Sequence, residues 1–105
     1  MKLLKFIVTG QQIRRDPLCD FSGLVAGSRG YLLARFHFSA AWAGCKKVAV
    51  FVCKGEEFPA PLKNNECEIP AEALAGRVVK VYVIGRKPGV ELTTDEAAFR
   101  QSAAH

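Results

Sequence analysis

The chain has 105 residues, of which 50% are hydrophobic and 24% charged. That balance describes one globular domain over residues 1–105, able to bury roughly 60–70% of its unfolded surface, and excludes a disordered chain. Its net charge of +5 is carried by 15 Lys and Arg that never run longer than two together, so the clustered stripe of a dedicated nucleic-acid binder is not expected.

The opening "MKLLKFIVTG" has the flavour of an export signal. Lys5 cuts its apolar run, however, and Gln11, Gln12, Arg14 and Arg15 follow at once, which leaves far less than the roughly 7–15 apolar residues of a signal core. No segment approaches the about 18 apolar residues of a membrane helix, and a soluble chain without membrane contact is expected. Residues 2–9 read as a strand stopped at Gly10, because Leu, Phe, Ile and Val suit a pleated, half-buried surface. Pro17 makes "QQIRRDPLCDF" an edge or a bend, since proline gives no N–H to a sheet ladder. The glycines of "SGLVAGSRG" mark a short strand running into a turn.

"YLLARFHFS" alternates clearly. Leu32, Ala34, Phe36 and Phe38 share one face, and Tyr31, Leu33, Arg35 and His37 the other. The Phe-bearing face is expected in a core and the other at water or along a groove. Trp42 follows, and its ring is expected to plug the space between sheets with the indole N–H on a carbonyl; the competing reading is an exposed binding aromatic. "KKVAVFVCK" sets Val48, Val50 and Val52 against Ala49, Phe51 and Cys53. With both faces apolar, this strand should be central or covered on both sides, and Val48 and Val50 are assigned to the core.

Two prolines make "EEFPAPL" an edge strand or extended connection, with Phe58 near the edge. "KNNE" is a polar turn, "CEIP" a short strand, and Pro70 starts one helical turn in "AEALAG" that Gly76 ends. "RVVKVYVIG" is the last strong strand, with Val81 and Val83 in the core; "RKPG" turns, and "VELTT" can pair back. Thr94 or Asp95 can cap a helix in the tail "DEAAFRQSAAH", a terminal strand being the alternative. Residues 96–105 are accordingly expected to be frayed or helical. About seven to eight short strands at roughly 8–12-residue spacing, with almost no helix, predict an all-β antiparallel sandwich.

Residues able to do chemistry are sparse. Cys19, Cys45, Cys53 and Cys67 contain no C-x-x-C pair, and neither His37 nor His105 stands at ligand spacing from two of them, so free thiols and no metal are expected. A dyad of His37 with Cys45 or Cys53 is the one nucleophilic arrangement open to the chain, and a strand cysteine more often packs than reacts. The carboxylates lie in turns or beside lysines, where nothing raises a pKa for acid catalysis. "GLVAGSRG" lacks the Gly-Lys-Ser/Thr of a phosphate loop. No enzymatic activity and no cofactor are expected.

Residues 24–94 nevertheless carry an ordered series of motifs: "LVAGSRGYLLARFHFSAAWAGCKKVAVF", then "ECEIPAEALAGRVVKVYVIG", then "ELTT". The series resembles small structural proteins and modules of bacteriophages and prophages of Gram-positive bacteria, in its Phe-x-Phe-Ser strand, Trp-x-Gly turn and Lys-x-Ala-x-Phe strand, and in "GRVVKVYVIG", which is similar to the family's Gly-x-x-x-Val-x-Val-x-Gly strand. The chain departs from the pattern at Ala41, where an acidic residue is expected before the Trp, and in its alanine-rich tail, which replaces a β-rich continuation. The resemblance implies an immunoglobulin-like sandwich in a tail, baseplate or fibre, acting by protein–protein contact with other phage structural proteins. A virion or bacterial-cytoplasmic location and a homo-oligomer, dimer or trimer, go with it. The expected contact residues are Tyr31, Arg35, His37 and Phe58. The alternative is a carbohydrate- or cell-surface-binding module, for which an exposed Trp42 or Tyr31 over a shallow groove would speak.

Overall fold

The computed structural model describes residues 1–103, and His105 lies outside them. Nine strands form in chain order: β1 (Lys2–Thr9), β2 (Gln12–Arg15), β3 (Leu32–Phe38), β4 (Lys46–Cys53), β5 (Glu56–Pro61), β6 (Glu66–Glu68), β7 (Val78–Lys87), β8 (Val90–Thr93) and β9 (Ala97–Arg100). Two 3-10 turns, Ala40–Trp42 and Ala71–Leu74, complete the regular structure. A four-stranded sheet in the order β2-β1-β3-β6 faces a five-stranded one, β5-β4-β7-β8, in which β9 also pairs with β7. The all-β sandwich expected from strand spacing is therefore present.

Period-two patterning places the core. Leu4, Phe6 and Val8 of β1 and Leu32, Ala34 and Phe36 of β3 point inward from one sheet. Ala49 and Phe51 of β4, Val79, Val81 and Val83 of β7, and Phe99 of β9 meet them from the other. Phe6 stacks on Phe36 with ring centroids 5.3 Å apart, and Phe99 reaches Phe6 at 6.4 Å, which joins the two layers through aromatic contact. Trp42 is 0% exposed and donates its indole N–H to the Gly10 carbonyl at 2.8 Å, the plug and the partner its position predicted. Phe38 is half-buried against the same core, 5.2 Å from the Trp42 ring.

Several expectations are revised. The ladder is not wholly antiparallel, because β1 and β3 run parallel from Lys2↔Leu32 to Val8↔Phe38; the long excursion of residues 16–31 returns the chain to the end from which β1 started. Within it "SGLVAGSRG" contributes only an isolated bridge, Val25↔Ser102, since Gly23, Gly27 and Gly30 all take positive φ and break any ladder. A second helical turn, at Trp42, joins the one expected after Pro70. In the tail the strand alternative holds over Ala97–Arg100: Ala97 and Phe99 turn inward, and Gln101 N–H and Ser102 N–H donate to the Arg77 and Leu24 carbonyls. Phe99 has a core to fill, and that burial outweighs the weak helix propensity of a short alanine-rich stretch.

The most consequential revision concerns β4. Ala49, Phe51 and Cys53 are its core face; Val48, Val50 and Val52 point away from the other sheet. Val48 is only partly buried and lies outside the inter-sheet core, whereas Val50 is buried as expected, but on the outer side of its sheet. Val50 is only 5% exposed because it is hemmed in by neighbours on its own sheet.

Candidate interaction surface

The sandwich has two outer faces, and they differ in chemistry. On the four-stranded sheet, parallel pairing of β1 with β3 sets Leu3 beside Leu33, Lys5 beside Arg35 and Ile7 beside His37. Antiparallel β2 adds Arg14 next to Ile7, and β6 adds Glu66 opposite Arg35 and Glu68 opposite Leu33. Arg35 Nη2 donates to both Glu66 carboxylate oxygens at 3.2 Å. This pair is half in water, so it contributes under about 1 kcal/mol to stability. The face is mixed in charge and broken up by ionic groups.

The residues expected to form one contact surface are divided by the fold. Arg35 and His37 are exposed on this face. Tyr31, 51% exposed, stands just before β3 at the mouth of a cleft of about 190 Å³ lined by Leu24, Val25 and Ser28. Phe58 belongs to the opposite sheet and turns inward, opposite Phe51 and packed on the core. It lies on an edge strand as expected, with its partly buried side chain on the inner face. Trp42 is sealed in the core and offers no binding platform.

The outer face of the five-stranded sheet is apolar across three adjoining strands. Register aligns Pro61, Val48, Ile84 and Thr93 in one row, Pro59, Val50 and Tyr82 in the next, and Glu57, Val52, Lys80 and Ala98 in a third. A shallow groove of about 400 Å³ runs between Lys46, Val48, Val50, Pro59, Ile84 and Arg86. One charged residue, Lys80, stands within the face on the central strand β7, between Val52 and Ala98. Arg86 pairs with Glu91 at 3.4 Å, and the Tyr82 hydroxyl donates to Glu57. The hydrogen bond to Glu57, then burial and the Glu57 and Glu96 charges, push the Tyr82 pKa up to about 12, so its hydroxyl remains a donor.

This surface is what the sequence reading missed, although its signal was there. β4 is apolar on both faces, the pattern of a strand covered on both sides, while the outer face of β7 mixes Val78, Tyr82 and Ile84 with Lys80 and Arg86. The described residues supply a cover for one side only: the other sheet lies across the inner face, and the buried residues of the Ala71–Leu74 turn join that same core.

The candidate chemistry stays dispersed. His37 is on the outer face of one sheet and Cys53 on the inner face of the other. Burial pushes the Cys67 thiol up to about 12, which keeps it protonated and unreactive at neutral pH. Among the described residues no group of three or more His, Cys, Asp or Glu is placed to hold a metal ion, and no helix is long and apolar enough to cross a membrane. No protein-family model matches the chain, and no curated protein matches it.

Proposed function

We propose that the protein is a non-enzymatic assembly or attachment module of a phage or prophage particle, working through protein–protein contact in a tail, baseplate or fibre. The observation that carries a contact function is the apolar outer face of the five-stranded sheet, where Val48, Val50, Val52, Tyr82 and Ile84 have no layer of their own chain upon them. Val48, Val52, Tyr82 and Ile84 are each partly exposed there around the buried Val50, and contiguous apolar surface of this kind marks interaction sites. The particle setting rests on the resemblance of residues 24–94 to phage structural modules. His37 and Cys53, one of the two dyads open to the chain, are kept apart on opposite sides of a sheet layer. The test is direct: an epitope-tagged copy is expressed from the resident prophage, particles are induced and banded on a density gradient, and the tag is sought by immunoblot and gold labelling. Tag banding with the tails supports the reading; tag remaining wholly with free protein at the top of the gradient overturns it.

A second reading, binding of a glycan, is favoured by Tyr31, an exposed aromatic beside a cleft in which the buried Ser28 hydroxyl has no partner among the described residues. It predicts glycan-array binding that Tyr31→Ala abolishes; an array without any hit removes it.

A further inference from the structure

Deepening the contact function just proposed, and resting on it, we infer that the outer face of the five-stranded sheet receives a second copy of this chain, packed sheet on sheet about a two-fold axis, with the strands of the two copies running antiparallel across the interface. A flat, pleated apolar face is best filled by another such face of the same twist, at a spacing of about 10 Å. A second copy supplies that match by construction, and a two-fold contact requires only that the patch complement itself.

The register decides how it can do so. Take the row Pro59, Val50, Tyr82 as the middle of the apolar rows. An axis along this row, perpendicular to the strands, reverses strand direction in the second copy. Because β8 and β9 pair with the same edge of β7, Glu91 opposite Arg86 and Arg100 opposite Val78 lie equally far on either side of Tyr82. The axis therefore lays Glu91 of each copy over Arg100 of the other, twice per dimer, while Val48 meets Val52, the two Tyr82 residues approach at the centre, and the long side chains of Lys80 and Arg86 lie over Ile84 and Val78 with their charged ends free to reach water at the edge of the contact. The other in-plane axis, parallel to the strands, would instead set Lys46 of one copy over Arg86 of the other, a like-charge opposition on a chain already at +5. Charge complementarity selects the antiparallel arrangement.

The area sets the strength. Four strand columns at about 4.8 Å spacing and six residue steps of about 3.3 Å cover roughly 400 Å² per copy. A standard interface takes about 800 Å² per partner, and contacts below about 600 Å² are weak ones. The dimer is thus expected to be concentration dependent, dissociating in the micromolar range or above, as suits a module whose copies are held together by a larger assembly.

Sedimentation velocity of the reduced full chain, from micromolar to millimolar concentration, is the experiment. The wild type is expected to rise from monomer toward twice the monomer mass. Val50→Glu, at the centre, is expected to remain monomeric throughout with an unchanged far-ultraviolet spectrum; if that variant misfolds, Pro59→Glu on the exposed edge strand answers the same question. Orientation is tested in trans. Glu91→Arg and Arg100→Glu should each weaken self-association several-fold, and mixing the two should restore it, since every Glu91–Arg100 site in the mixed dimer again joins opposite charges. An effect within one chain gives no such rescue. A wild type monomeric at millimolar concentration, a Val50→Glu or Pro59→Glu dimer as tight as wild type, or a mixture no tighter than its components overturns the inference. None of these outcomes alters the particle-banding result, so the two ideas fail separately.

Discussion

Replacing Gly85 by Ala tests the packing that holds the Trp42 turn. A Cβ at Gly85 would come within 2.5 Å of Trp42 Cζ3, 2.7 Å of Cε3 and 3.3 Å of Cys45 Cβ, where ordinary contact begins at 3.4 Å. Roughly 1 Å of ring movement is needed, and the ring has nowhere to go. It is wholly buried, Phe38 flanks it, and its N–H is held by the Gly10 carbonyl. The turn carrying it is itself braced by Lys87 Nζ, which donates to the Ala41 and Ala43 carbonyls at 3.4 and 3.0 Å. Overpacking of this type costs about 1–3 kcal/mol, and a strained or lost indole hydrogen bond adds about 1 kcal/mol. Gly85 does not have positive φ, so Ala should regain about 0.4–1 kcal/mol through the unfolded chain. The net expectation is a loss of about 2–3 kcal/mol, or very roughly 8–20 °C in Tm. Urea unfolding followed by the fluorescence of the single Trp measures it. The same substitution in a Trp42→Leu background, followed by circular dichroism, isolates the clash, because coupling should make the second change much cheaper there. An unchanged midpoint, or an equal cost in both backgrounds, refutes the steric account.

Three further outcomes follow from the same geometry. Asp95 Oδ1 accepts from the Ile13 N–H at 2.8 Å and the Asp95 N–H donates to the Gln11 carbonyl, tying β2 to the corner between β8 and β9; Asp95→Ala should cost about 1–3 kcal/mol by chemical denaturation and speed hydrogen exchange at Ile13. Burial in the folded chain holds the Cys67 thiol protonated up to about 12, whereas the unfolded chain releases that proton near the ordinary thiol value of 9.0. The stabilisation is complete below pH 9 and is lost as pH rises toward 12, so the urea midpoint should fall over that window and less so in Cys67→Ala, compared at matched pH. Arg35→Ala, removing an ion pair that is half in water, should move stability by less than about 1 kcal/mol; a larger loss would mean that the basic outer face has a structural role not apparent from its exposure.

The strands were legible wherever period two met a run of apolar residues, as in "YLLARFHFS", and so was Trp42, whose size and place after a Phe-rich strand leave it little but an inter-sheet role. Less legible were features that depend on distant partners. The parallel pairing of β1 and β3 is set by the path of residues 16–31, which carries no periodicity of its own. The tail is a strand because Phe99 fits beside Phe6, a contact 93 positions away in sequence, while its local composition favours helix. Phe58 shows the limit from the other side: two prolines correctly marked its strand as an edge, but an edge strand still has an inner face.

The apolar outer face follows from counting layers. A two-sided apolar strand such as β4 announces a second cover without saying which chain provides it. Topology allots β1, β2, β3 and β6 to one cover and spends β8 and β9 side by side along a single edge of β7, so none of these strands is left for the outside. Association through the opposite sheet edge is obstructed as well. Pro59 and Pro61 occupy alternate positions of β5, the free edge beside β4, and lack the N–H groups an added strand would need. With that edge blunted and the other divided between two short strands, an added strand finds little purchase on the five-stranded sheet, and further burial on this sheet would come at its outer face.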